Sequence, residues 1–128
     1  MDKTAILLFA HGSRVAEANE GVRDLARRVQ EAGPYHHVRA TFLELAQPDL
    51  NAAVAEAVKA GMQRVIVIPY FLTMGTHLRR DLPKLIDPLR KRFPEIVLDL
   101  GQSLESHPQM PSIILDRVQE VVGPGSQP

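Results

Sequence analysis

After Arg64, the run RVIVIPYFL (residues 64–72) contains no charged side chain. A strand with one face in water alternates apolar and polar residues. This run is apolar on both faces, as a central strand of a parallel sheet covered by helices must be. It is also far shorter than the roughly 20 residues that cross a bilayer. Three further strands are predicted around it: TAILLFA (4–10), HVRATFLEL (37–45), where Val, Thr and Phe outweigh imperfect alternation, and EIVLDL (95–100). Helical spacing separates them. Val22, Leu25, Ala26 and Val29 lead to a stop at Gly33-Pro34, and Leu50, Val54, Ala57 and Val58 follow Pro48 as an opening residue and end at Gly61. DLPKLIDPLRKRF (81–93) predicts a third helix, with Pro88 calling for a kink or a later start. PSIILDRVQEVV (111–122) predicts a closing helix before a flexible tail, 123–128. Four successive βα units predict an α/β fold, a four-stranded or slightly larger parallel sheet with helices on both faces. With no linker and no internal repeat, residues 1–128 are expected to form a single domain.

Fifteen basic residues balance fifteen acidic ones, which removes any global electrostatic attraction to nucleic acid or an anionic membrane. The chain has no cysteine, so disulfides and thiolate metal sites are excluded. The N-terminal stretch MDKTAILLFAHGSR lacks a small-residue cleavage site of a signal peptide. A cytoplasmic protein with neither nucleic-acid nor membrane partners is expected.

In open parallel sheets ligands bind beyond the carboxyl ends of the strands. Three metal-competent side chains fall there. His11 follows the first strand, Glu44 lies near the end of the second and His77 follows the third. Two imidazoles and a carboxylate form an open ligand set for Zn, Fe, Co or Ni. Each residue alone also has a plain structural reading: a turn histidine, a solvated carboxylate, a residue at a helix start. Gly12 and Gly75 are expected to permit tight turns and close approach of a bulky ligand. Arg14, Arg79, Arg80 and Lys84 flank the histidines and suit a ligand with several carboxylates. Phe71, Leu72 and Met74 are candidates for the face of a flat ligand, with ordinary core or loop packing the alternative. His36 and His37 read as solvated, and His107 either joins the same edge or is a loop imidazole before Pro108.

The stretches LLFAHGSR, FLELAQPDL, VIVIPYFLTMGTHLRRDLP and SLESHPQMPSIILDRV, spread in order over nearly the whole chain, resemble the short sirohydrochlorin chelatases, the class II enzymes that insert cobalt, iron or nickel into tetrapyrroles. The resemblance implies a chelatase-type fold with His11 and His77 as the metal-handling pair, joined by Glu44. Expected substrate contacts are Ser13 and Arg14 in the first motif and Gly75, Thr76, Arg79 and Arg80 in the second. It further implies sirohydrochlorin as substrate, the divalent metal as co-substrate with no tightly bound cofactor, and a homodimer with the macrocycle near the subunit interface. Where members of this family tend to carry a glycine, this chain has Glu105. A metal or tetrapyrrole carrier that binds without chelating is the non-enzymatic alternative. Histidine phosphatases require an arginine directly before the histidine, and the residue here is Ala10.

Overall fold

In the computed structural model, residues 3–123 are described. The flexible tail expected over 123–128 lies outside them except for Gly123. The strands are β1 (Thr4–Ala10), β2 (His37–Phe42), β3 (Arg64–Pro69) and β4 (Val97–Leu100). They alternate with helices α1 (Ala16–Ala32), α2 (Leu50–Lys59), α3 (Thr76–Arg92) and α4 (Met110–Val122). All pairings are parallel, in the order β2-β1-β3-β4.

Strand alternation divides the core into two halves. Ala5, Leu7, Phe9, Val65 and Val67 face Leu50, Val54 and Ala57 of α2 and Leu82, Ile86 and Leu89 of α3. Ile6, Leu8, Ala10, Val38, Ala40 and Phe42 face Val22 and Ala26 of α1. The strong apolarity of β1 follows from this: its residues from Ala5 to Ala10 are all buried, alternating between the two halves.

Several boundaries differ from expectation. Strand β2 stops at Phe42, and Leu45 adopts φ 66, a left-handed conformation outside any strand. Pro48 does not open α2; Asp49 caps it, its carboxylate accepting from Ala52 N–H at 2.8 Å. Helix α3 starts at Thr76, five residues before the predicted Asp81, and runs through both Pro83 and Pro88. Each proline removes the hydrogen bond to the carbonyl four residues earlier. Those carbonyls belong to Arg79 and Lys84, which are exposed, so water can serve them while the opposite face stays packed. Helix α4 forms as the closing helix the sequence predicts, yet none of its residues is buried.

The chain leaves β1 toward one edge to form β2, then crosses back past β1 to form β3. The connections that follow β1 and β3 therefore diverge to opposite faces, with α1 on one and α3 on the other. This leaves a crevice at the carboxyl ends of β1 and β3, where such folds bind ligands.

Candidate metal and tetrapyrrole site

His11 opens the connection after β1. The β1–β2 pairing does not end with the strands: Leu43 N–H donates to the Ala10 carbonyl at 2.9 Å, and Glu44 N–H to the His11 carbonyl at 3.0 Å. That extension carries Glu44 alongside His11, and their side chains meet, His11 Nε2 to Glu44 Oε1 at 3.0 Å. Gly12 makes this approach possible. It has φ 96, and a Cβ there would lie 1.7 Å from the Glu44 carbonyl oxygen, so no other residue fits without separating the two segments. Gly75 is different. Its φ of −64° is open to any residue, and a Cβ would meet nothing within 4 Å, so the tight-turn expectation fails there.

An ionised carboxylate only accepts hydrogen bonds. Glu44 therefore holds the proton of a neutral His11 on Nε2 and leaves the lone pair on Nδ1. A ring nitrogen bonded to a carboxylate while the other faces a metal is a common way to orient a metal-binding histidine.

His77 stands in the first turn of α3, at the far end of the connection after β3. Its Nδ1 lies 2.8 Å from Arg80 Nη2. Arg80 Nε is 4.0 Å from Asp81 Oδ1, which is the same distance from Lys84 Nζ. Among the described residues no three His, Asp or Glu side chains stand close enough to share an ion. The structure thus brings His11 and Glu44 together and leaves His77 outside that pair. All three are exposed.

The other expected positions divide. Arg14, Thr76, Arg79 and Arg80 are exposed at the ends of the two connections. Arg79 also lines a cavity of about 400 Å³ with Met74, Gly101, Ser103 and Glu105. Ser13 acts on the loop itself: its hydroxyl accepts from Val15 N–H at 3.0 Å, and its backbone is held by the buried Asn19 amide, which accepts from Ser13 N–H at 2.9 Å and donates to its carbonyl at 2.8 Å. Sequence reasoning missed Asn19; a polar residue on the buried face of α1, one turn before Val22, is the signal that marks it.

Glu105 latches the β3–α3 connection to the one after β4. One carboxylate oxygen accepts from Met74 N–H at 2.7 Å, and the other accepts from the Ser103 hydroxyl. Phe71 packs edge-on against Phe9, with ring centroids 6.4 Å apart, so its role is in the core. Leu72 is 63% exposed and does not pack there. Met74 is half-buried. His107 accepts from Gln109 N–H at 3.0 Å through Nδ1, the part of a loop imidazole at the start of α4. His37, read from sequence as solvated, is buried. It is the first residue of β2, where the predicted strand begins, and is paired with Ala5 of β1.

The family model for CbiX matches residues 5–121. The chain is 28% identical to the sirohydrochlorin cobaltochelatase of Methanopyrus kandleri, over 93% of this chain and 97% of that protein. It is 31% identical to the chloroplastic sirohydrochlorin ferrochelatase of Arabidopsis thaliana, over 92% of this chain but only 52% of the relative. Among solved structures, the CbiX protein of Marinobacter aquaeolei VT8 superposes with a TM-score of 0.82 at 31% identity, covering 92% of this chain and 96% of that one. The sirohydrochlorin chelatase SirB of Bacillus subtilis subspecies spizizenii, solved with cobalt, superposes with a TM-score of 0.82 at 25% identity, covering 94% of this chain and 51% of that one. The chain thus spans nearly all of some relatives and about half of others.

Proposed function

The chain belongs to the CbiX family and is a metal chelatase, and from that premise we propose that it inserts a divalent metal into sirohydrochlorin, cobalt being the ion and iron the alternative. Two relatives are named for this chemistry, one with each metal. The metal enters as a substrate and leaves in the product, with no resident cofactor.

The observation that carries the reading is the His11–Glu44 pair at the carboxyl-end crevice. Chelation exchanges two pyrrole protons for one ion, so the protein must hold an incompletely coordinated metal and take up protons. The Nδ1 lone pair of His11 suits either electrophile. A metal or a proton arriving there places positive charge on the ring, and Glu44, already bonded to Nε2, balances it. His77, in the first turn of α3, is proposed as the second imidazole that receives the ion. The exposed Arg14, Arg79 and Arg80 are the guanidinium groups proposed to meet the peripheral carboxylates of the macrocycle. The hollows beside Leu89, Ala26, Leu82 and Ile114 are not lined by His11 or His77, and the ring is accordingly proposed to lie on an open rim. A second copy of the chain is proposed to cover that rim, as a homodimer.

Initial rates with sirohydrochlorin and Co²⁺ or Fe²⁺, after subtraction of the uncatalysed rate, test the assignment. His77→Ala and His11→Ala are each expected to lower the rate by roughly 100-fold or more, the usual range for losing a positioned base, with the far-ultraviolet circular dichroism unchanged. Insertion no faster than the uncatalysed reaction in the wild-type protein, despite tight binding of both partners, would mark a carrier and overturn the proposal.

A further inference from the structure

Arginine has five N–H donors and no acceptor. The 2.8 Å contact between Arg80 Nη2 and His77 Nδ1 therefore has one chemical meaning: the guanidinium donates and Nδ1 accepts. A neutral imidazole has one acceptor nitrogen, so the remaining proton sits on Nε2. A protonated ring would offer only donors and could not make the contact. In this arrangement His77 has no lone pair to give to a metal. Ligation through Nδ1 requires the guanidinium to leave, and ligation through Nε2 requires a proton on Nδ1, where it would oppose the same donor.

We propose that Arg80 blocks His77 until a carboxylated ring draws the guanidinium away, so that binding of the macrocycle releases the imidazole for the incoming metal. A carboxylate is a better partner than a neutral nitrogen, because it accepts two parallel N–H bonds and carries opposite charge. Among the described residues Arg80 is otherwise held weakly: its ion pair to the exposed Asp81 is 4.0 Å long. His77 and Arg80 are one helical turn apart on exposed positions of α3, so the side chain can swing outward without disturbing Leu78 or Leu82 on the packed face. His11 needs no such release, since Glu44 leaves its Nδ1 lone pair open. The two imidazoles thus differ in readiness, one standing open and the other dependent on the macrocycle. This inference rests on His77 being a metal-handling residue.

The test is Co²⁺ binding by titration calorimetry, which needs no catalytic turnover. It uses wild type, Arg80→Ala, Arg80→Lys and the double variant Arg80→Ala/His77→Ala, each with and without a carboxylated tetrapyrrole whose centre is already metallated. Wild type is expected to bind Co²⁺ about tenfold more tightly when the filled ring is present, the size of coupling typical between linked sites. Arg80→Ala is expected to show the tight affinity without the ring and no further gain with it. Arg80→Lys, still a donor, is expected to retain the blocked state. Nitrogen-15 shifts of the His77 ring should report the Nε2–H tautomer in wild type and a mixture in Arg80→Ala. Equal Co²⁺ affinity in wild type and Arg80→Ala, with a loss on adding His77→Ala, overturns the block alone. No effect of His77→Ala, or no Co²⁺ binding by any variant, overturns the metal-handling role of His77 along with it.

Discussion

His37 shows what one side chain at a strand start can do to acid stability. It is 6% exposed, and among the described residues its Nε2 has no hydrogen-bond partner. Burial pushes its pKa below the ordinary histidine value of 6.5, and the Arg39 guanidinium pushes the same way, against a smaller opposing effect of Glu56. The folded state therefore takes up the proton less readily than the unfolded chain. This contribution to stability is complete above the unfolded pKa. It is lost as the pH falls from about 6.5 toward the depressed folded value, at up to about 1.4 kcal/mol per pH unit for one group. Urea unfolding between pH 7.5 and 5 is expected to show this loss in wild type and a shallower one in His37→Leu, which also removes an unsatisfied buried nitrogen and is expected to be no less stable at pH 7. Parallel pH curves for the two proteins would refute the assignment. The same residue shows where sequence reading stops. His11 and His77 stand out because each follows an apolar run; for His37 the strand start is predicted correctly, but that its side chain is covered depends on tertiary packing that no local pattern encodes. Glu44 was visible as a candidate, whereas its contact with His11 depends on a backbone ladder that outlasts the strands.

The elements were legible where burial dominates and less so where their ends are set by single groups. Strand β1 has the predicted limits because apolar packing on both faces defines it. Helix α3 begins earlier than its apolar period suggests, because Thr76, His77, Arg79 and Arg80 look like loop residues by polarity and yet form its exposed first turn. That extra turn is what places His77 three residues before Arg80 on one helical surface. For α2 the opening signal was the aspartate and not the proline before it. Asp49 caps the helix through Ala52 N–H, and the β2–α2 link between Phe42 N–H and the Pro48 carbonyl, at 3.0 Å, joins this helix start to the strand end that leads to Glu44. Asp49→Ala is expected to cost about 1 kcal/mol, the usual value of an N-cap, measured by chemical denaturation. Asp49→Asn or Asp49→Ser should recover most of it. A full loss in Asp49→Ser would show that the charge and not the cap is what matters.

For the whole molecule, α4 is the element that one chain does not explain. Thirteen residues of isolated helix are marginal in water, and a helix in a folded protein owes its stability to packing of an apolar face. Here Ile114, Leu115, Val118 and Val121 are 58%, 65%, 47% and 88% exposed. On the sheet, Ile66, Ile68 and Tyr70 of the face that packs on α1 are only half-buried, because α1 covers β1 and β2 more fully than β3. An uncovered helix and a half-covered sheet face in one chain imply a neighbour of the same chemistry. Relatives about twice as long, with half their length matched by this chain, have room for such a neighbour within one polypeptide. The homodimer proposed above would supply it from a second copy. Sedimentation at micromolar concentration is accordingly expected to give a dimer. Leu115→Glu/Val118→Glu is expected to weaken it at least tenfold and release folded monomer, since charged groups buried at such an interface cost more than the contacts they replace. If chelation takes place on the rim that the second copy covers, the specific activity of this variant should rise with protein concentration while that of wild type stays flat. A wild-type monomer with full activity would mean that α4 is covered by some other partner and that the rim works uncovered.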